Sequence, residues 1–430
     1  MLTIASGFLV NALITRMISA EEVGAYFLLL SMVSAGSIVA LLGMQVAVVR
    51  LVAEAMAEQL RGVARATVSM VMRIGTSSAL VVAVVMGLGG NLIALHVFNS
   101  PTLAQVTWYA AAWTFALAIL SLLAESFRGF HDFRAATIFG NNSINNILML
   151  VFLLIATLAL KKSSLQLILV LSISSCAIGG VVAAISMRRK FSTLGKSQPI
   201  YPLPILKIGL PLMASSMAIF LLTQADLWII GMYTSTEDVA IYGAAIRLGQ
   251  LVYVLLLISN TMLPPFISEM HSQGKHKQLE TLIRLTSTFS ALLAGIVLLV
   301  FLFAGGDVLS LVYGEYYRKA HFLLVIIGLG QFVNVWTGSG MITLMYTGHQ
   351  NAVLKISFLF GSLVVIGSII VVKPFGVLGV ASVVCLVFGA QALFVLIFVR
   401  RKVGIWTHAG PKYLPLIIEK FRESTAKSNP

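Results

Sequence analysis

Long apolar runs, separated by short stretches carrying charge, glycine or proline, fill the chain from end to end. A helix needs about 20 apolar residues to cross a hydrocarbon core. Runs of that order lie at residues 2–18, 23–49, 67–95, 105–124, 138–160, 163–187, 206–232, 239–263, 282–304, 321–345, 351–372 and 376–399. The pattern predicts an all-α membrane protein with about twelve transmembrane helices, since helices satisfy their own backbone in lipid.

Polar positions inside the runs are few and grouped. Arg247, Gln250, Tyr253 and Asn260 recur at near-helical spacing in the eighth run and predict a polar face. Ser31, Ser34 and Ser37 stand 216 residues before the first three, followed by Gln45. A polar face toward lipid is costly, so both faces are expected to line a bundle interior or a wet cavity. Gln331 and Asn334 add to this set from the tenth run. Asn141, Asn142, Asn145 and Asn146 open the fifth. That cluster reads either as cavity lining or as interhelical glue, worth about 0.6 kcal/mol per hydrogen bond. Asn141-Asn142-Ser143 is a formal glycosylation sequon, but its expected inner-edge position argues against modification.

The 216-residue offset recurs elsewhere. Glu21-Glu22-Val23-Gly24-Ala25-Tyr26 matches Glu237-Asp238-Val239-Ala240-Ile241-Tyr242, and Gly89-Gly90-Asn91-Leu92 matches Gly305-Gly306-Asp307-Val308. Six runs separate each pair, so the halves share one orientation, as parallel repeats do. The expected organisation is an N-terminal six-helix lobe at residues 1–190 and a cytoplasmic linker at 191–205. A C-terminal six-helix lobe at 206–402 and a basic tail at 403–430 follow. Two parallel six-helix bundles around a central cavity suit alternating access. The plainer reading is a duplication kept for stability.

Composition narrows the class. Hydrophobic residues make up 59% and charged residues 10%, with mean hydropathy +0.98. This excludes a disordered chain, a disulfide scaffold and an ordinary cytosolic enzyme. Net charge is +14, which by itself would suggest nucleic acid. With the N-terminus in the cytoplasm, 21 basic residues fall on the inner side and 6 on the outer, with Arg73 and Arg247 inside runs. The charge therefore reads as positive-inside topology with both termini cytoplasmic. Anionic lipids at the inner loops, rather than nucleic acid, are the expected partners. Met1–Ser19 lacks a basic leader, so no signal peptide is expected, and its shortness suggests a start codon upstream of Met1. Cys176 and Cys385 lie in runs and read as packing residues, with no metal or disulfide pattern. Nucleotide, zinc and hydrolase motifs are missing from the sequence, so it is read as neither an enzyme nor a cofactor protein.

Arg247 is the sharpest single residue, because arginine at a helix centre costs about 2.5–3.5 kcal/mol on insertion scales. Asp226 in the preceding run lies at a similar depth and is its expected partner. The pair reads either as a structural tie or as a cavity cation held for an anionic substrate.

Several stretches together resemble the bacterial polysaccharide flippases, a branch of the multidrug/oligosaccharidyl-lipid/polysaccharide exporter superfamily. They are Arg16-Met17-Ile18-Ser19-Ala20-Glu21-Glu22-Val23-Gly24-Ala25-Tyr26, Phe127-Arg128-Gly129-Phe130, Gly209-Leu210-Pro211 and Gln224-Ala225-Asp226. Ile241 through Leu248, Leu263 through Ser268, Tyr313 through Arg318 and Thr347-Gly348-His349 continue the likeness. The resemblance implies translocation of a polyprenyl-pyrophosphate-linked oligosaccharide across the bacterial cytoplasmic (inner) membrane. The cargo would be an O-antigen, capsule or exopolysaccharide repeat unit, and a glycan polymerase and chain-length regulator would be partners. The expected substrate-binding set is Arg247, Asp226, Gln250, Tyr253, Ser31, Ser34, Arg16, Arg50, Gln224, Gln331 and Asn334. Tyr253 and Trp228 would stack on sugar rings. Arg16 and Arg50 would bind pyrophosphate by resemblance, or anchor at the interface. Pro264-Pro265 is expected to break the eighth span. Leu227 departs from the family, which often has Arg after the Asp. The alternative is a cation-coupled multidrug or metabolite exporter of the same superfamily. A non-transporting membrane enzyme or scaffold is the third reading.

Overall fold

The structure, a computed structural model, describes residues 2–140, 143–159, 163–192, 194, 201–413 and 415, and is helical with no strand among them. Contacts divide the chain into two compact units, Met1–Phe220 with Ser235–Ala240, and Leu221–Thr234 with Ile241–Pro430. The first holds α1 (Leu2–Met17), α2 (Ala20–Leu41), α3 (Met44–Ala57), α4 (Arg61–His96) and α5 (Pro101–Ala104). It continues through α6 (Thr107–Gly129), α7 (Phe133–Phe139), α8 (Ser143–Ala159), α9 (Leu165–Ser192) and the first part of α10 (Pro202–Tyr233). The second holds the rest of α10, most of α11 (Thr236–Ser272), α12 (His276–Tyr313), α13 (His321–Thr337), α14 (Gly340–Tyr346) and α15 (Gln350–Val403).

Among the described residues, nine helices are long and apolar enough to cross a membrane, or ten if the bent pair α7–α8 is one span. The shortfall from twelve has identifiable causes. Two expected spans, 351–372 and 376–399, merge in the 54-residue α15. Such a helix would be about 80 Å long, far beyond a hydrocarbon core of about 30 Å. Gly376, at φ 57 and ψ −146, breaks it near the middle, two residues after Pro374. The first expected span is the 16-residue α1, short of a full crossing. Two sequence expectations also shift. The run 23–49 is not one helix, because Leu42 and Gly43 both take positive φ and separate α2 from α3. Conversely, α11 continues through Pro264 and Pro265 as one helix, so the expected break is absent.

The first unit packs around α6, which contacts α2, α3, α4, α7 and α9. Leu120, Leu122 and Phe127 of α6 are fully buried against Val48, Val52, Val68 and Val71. Pro202–Phe220 belongs to this unit, beyond the linker boundary expected at 191–205, of which 193 and 195–200 lie outside the described residues. The physical reason is at the α2–α3 break. Gly43 has φ 71, and a Cβ there would lie 2.0 Å from the Gly209 carbonyl oxygen. Only a residue without a side chain permits that approach. The core of the second unit joins α12, α14 and α15 through Leu279, Ile283, Leu344, Val364, Val395 and Val399.

The internal repeat is visible in its capping chemistry. Ser19 Oγ accepts from the Glu22 amide at 3.3 Å, and the Glu22 carboxylate accepts from the Ser19 amide at 3.0 Å. At the same offset, Ser235 Oγ accepts from the Asp238 amide at 3.2 Å, and Asp238 accepts from the Ser235 amide at 3.4 Å. Reciprocal caps satisfy otherwise orphaned donors at a helix start. Glu22 and Asp238 thus carry the same structural job at the two helix starts. Glu21 also accepts from Thr102 at 2.5 Å, and Glu22 from the Leu165 amide at 3.3 Å, tying α2 to α5 and α9.

Candidate functional site

The second unit holds a partly open cavity of about 210 Å³. Its polar lining comes from Tyr253 and Asn260 of α11, Asn334 and Thr337 of α13, Ser339 between α13 and α14, and Gln391 of α15. Leu222, Leu256, Phe388 and Leu396 give apolar wall. None of the lining residues is Asp, Glu, Lys, Arg or His. Helical periodicity explains the set. Tyr253 and Asn260 are seven residues apart, two turns, and point the same way. Phe388, Gln391 and Val395 repeat at i, i+3 and i+7 on α15, and Gly338 interrupts the helix at φ 81, so the α13–α14 break forms part of the wall.

The polar groups are incompletely satisfied. Asn260 lies beside the Tyr253 hydroxyl. Asn260 Oδ1 and Ser339 Oγ are buried without a hydrogen-bond partner among the described residues. Ser339 is 2% exposed and Gln391 7%. A segment after α15 braces the broken helix from behind. Thr407 Oγ1 donates to the Thr337 carbonyl at 2.7 Å, and the Ala409 amide donates to the Trp336 carbonyl at 2.8 Å. These bonds satisfy carbonyls freed at the end of α13. Arg284 of α12 fixes the same segment through the His408 carbonyl at 3.1 Å and the His408 ring at 3.2 Å. Arginine can only donate, so the His408 Nε2 accepts and its proton sits on Nδ1. Burial and the Arg284 charge hold His408 below its ordinary 6.5.

The expected polar face of α11 is split. At about 100° per residue, Arg247 points some 120° away from Tyr253. Arg247 is half-buried and Gln250 exposed, and neither lines the cavity. The expected Asp226–Arg247 pair is also replaced. Asp226 Oδ2 accepts from the Tyr242 hydroxyl at 2.6 Å, and Oδ1 from the Leu227 amide at 2.9 Å. Asp226 is 4% exposed and Tyr242 0%. Six residues separate Tyr242 from the start of α11 and seven separate Asp226 from the end of α10, so depth did match, but for the tyrosine. Arg247 instead interacts electrostatically with Tyr313.

The remaining expected residues are dispersed. Asn334 joins the cavity, whereas Gln331 and Gln224 are half-buried and do not line it. Ser31 is buried on α2 in the first unit, and Ser34 Oγ donates to the Leu30 carbonyl at 2.8 Å. Arg16 is exposed at the end of α1. Arg50 is exposed and paired with Glu54 at 2.7 Å. Asn145 accepts from Ser175 and from Cys176, joining α8 to α9 in the manner of interhelical glue. Asn141 and Asn142 lie outside the described residues. Sequence reasoning missed Gln391, Ser339 and Tyr242. The sole glutamine of the last apolar run was the available signal for Gln391, and the repeated tyrosine at 26 and 242 the signal for Tyr242. Among the described residues no cluster of His, Cys, Asp or Glu could hold a metal.

The family model for polysaccharide biosynthesis protein matches residues 1–271, and the MatE model matches residues 211–372. No curated protein gives a significant match. Among solved structures, an inward-facing multidrug resistance MATE family transporter of the MOP superfamily is similar at TM-score 0.72 and 15% identity, over 94% of this chain and 95% of that one. The lipid II flippase MurJ in an inward closed conformation is similar at TM-score 0.72 and 15% identity, over 93% and 86%. The Vibrio cholerae MATE transporter VcmN, in a mutant form, is similar at TM-score 0.63 and 18% identity, over 93% and 94%. At these identities the likeness shows the fold. The chain is a multi-pass membrane protein with the fold of MOP superfamily transporters, and it belongs to the polysaccharide biosynthesis protein family.

Proposed function

We propose that the protein is a transporter, not an enzyme, and that it flips a polyprenyl-pyrophosphate-linked oligosaccharide across the bacterial inner membrane by alternating access. The observation that carries this reading is the cavity's chemistry: amides, hydroxyls and one tyrosine ring, with no charged side chain. Sugar hydroxyls cost several kcal/mol each to desolvate unless they are hydrogen-bonded. Lipid already solvates a polyprenyl tail. The protein therefore needs to supply polar partners for the glycan and a cation for the pyrophosphate. Arg247 takes the second role, about 9 Å along α11 from Tyr253 by helical rise. Gln250, exposed one turn after Arg247, extends the polar surface. The match of residues 1–271 to the polysaccharide biosynthesis family supports the same substrate class.

A second reading, a cation-coupled exporter of drugs or metabolites, draws on one observation. Asp226 is a buried carboxylate within the stretch matched by the MatE model. Its hydrogen bond to Tyr242 and its place off the cavity lining favour a structural part.

Complementation separates the two. A strain lacking its own flippase, supplied with this protein and a series of defined lipid-linked repeat units, should regain surface glycan for at least one of them. Arg247→Ala should abolish that gain at normal protein level and insertion. Unimpaired export by the variant removes Arg247 from the substrate path, and absence of any rescue alongside acquired drug resistance favours the exporter.

A further inference from the structure

The cavity of the second unit is more specific than a general polar lining. Its volume, about 210 Å³, lies below the range of about 300–1,000 Å³ usual for drug-sized ligands. It has room for about one sugar ring, not for a chain of sugars. Two buried oxygens, Asn260 Oδ1 and Ser339 Oγ, have no donor among the described residues. Leaving such groups unmet is costly, because a buried acceptor loses its water without gaining a partner. A ligand whose hydroxyl groups came beside them would supply the missing donors. Gln391, 7% exposed, offers both a donor and an acceptor through its carboxamide from another helix of the lining. Tyr253 and Phe388 present aromatic surface to the apolar face of a ring.

Charge excludes the alternatives. A metal cation or an ammonium would enter a site with no carboxylate, at the uncompensated desolvation cost of a buried charge. A uronate or phosphorylated sugar would meet no cation, because Arg247 is off the lining.

The geometry points to a subsite for a single uncharged pyranose ring inside the second unit, held by Asn260, Ser339 and Gln391 and stacked by Tyr253. This rests on the flippase reading and names the part of the cargo recognised there: a neutral sugar, selected by hydroxyl donors, apart from the charged pyrophosphate.

The test is saturation-transfer NMR on the intact purified protein, with methyl glucoside, methyl galactoside and methyl N-acetylglucosaminide against methyl glucuronide. At least one neutral glycoside should receive saturation, and the glucuronide should not. Gln391→Leu and Asn260→Leu should each weaken binding about tenfold, the loss of one hydrogen bond. Ser339→Ala, the smallest change, is the variant least liable to disturb folding and should weaken it as well. Each variant is first checked for an unchanged melting temperature. No transfer to any neutral glycoside, equal transfer to the glucuronide, or variants that bind like the parent would overturn the subsite. Flipping of a lipid-linked oligosaccharide without glycoside binding would sink the subsite and leave the flippase reading standing. Glycoside binding without flipping would do the reverse.

Discussion

The Tyr242 hydroxyl donates a 2.6 Å hydrogen bond to the Asp226 carboxylate, joining α10 to α11 at a place where neither residue is appreciably exposed. A buried carboxylate needs such partners, and the Leu227 amide gives it a second. Tyr242→Phe should lower stability by about 1–3 kcal/mol, since it leaves an acceptor oxygen unmet. Thermal unfolding of the detergent-solubilised protein measures this. In a double-mutant cycle, Tyr242→Phe and Asp226→Asn should couple, whereas Arg247→Ala and Asp226→Asn should be additive within about 0.5 kcal/mol.

Gly24 lies against the cap of α11, where a Cβ would stand 1.8 Å from the Thr236 carbonyl oxygen. Gly24→Ala should therefore reduce the yield of folded protein, by overpacking against backbone that cannot yield. The two serine caps are milder tests. Ser19→Ala and Ser235→Ala should each cost about 1 kcal/mol. A melting series that ranks either serine variant below Gly24→Ala would contradict the close approach.

Neutral His408 accepts from Arg284 and so helps hold the segment behind the α13–α14 break. Its folded pKa is lowered from 6.5, so the unfolded chain binds the proton more readily. The contribution to stability is complete above 6.5 and is lost as pH falls from there through the folded value. Melting temperature should drop on acidification from about pH 8 to about pH 5, the range of a histidine switch. His408→Gln should flatten the drop. An unchanged slope in that variant would assign the pH effect elsewhere.

Asp132 caps α7 through the Ala135 amide at 3.2 Å and pairs with Lys190 of α9 at 2.8 Å. The lysine holds its pKa below the usual 3.8, so this stabilisation is present above 3.8 and fades as pH falls through the folded value. Asp132→Asn should cost about 0.2–1 kcal/mol, because the pair is partly solvated and the cap is kept. Asp132→Ala should cost about 1 kcal/mol more. High salt should narrow the gap between parent and Asp132→Asn.

Hydrophobic run length made the helical membrane class legible in the sequence, because run length is a one-dimensional property. Helix breaks were less legible. Pro264 and Pro265 lie inside an unbroken helix, while Leu42-Gly43 breaks one because Gly209 must approach there. Such a contact depends on a residue more than 160 positions away, which periodicity does not register. The cavity was half legible. Tyr253 and Asn334 stood out as polar residues in apolar runs, but Gln391 looked isolated until folding brought it to the same cavity as Asn260. Arg247 was grouped with Tyr253 by spacing that drifts about a third of a turn, and depth alone paired it with Asp226 when Tyr242 lay nearer.

Direct transport in a purified system tests the central claim. Proteoliposomes carrying a defined polyprenyl-pyrophosphate-linked oligosaccharide in the inner leaflet are sampled with an impermeant glycosidase added outside. The flippase account predicts time-dependent cleavage that requires the protein and disappears with Arg247→Ala. Cleavage no faster than in protein-free liposomes, in a preparation that moves a cationic dye, would contradict it.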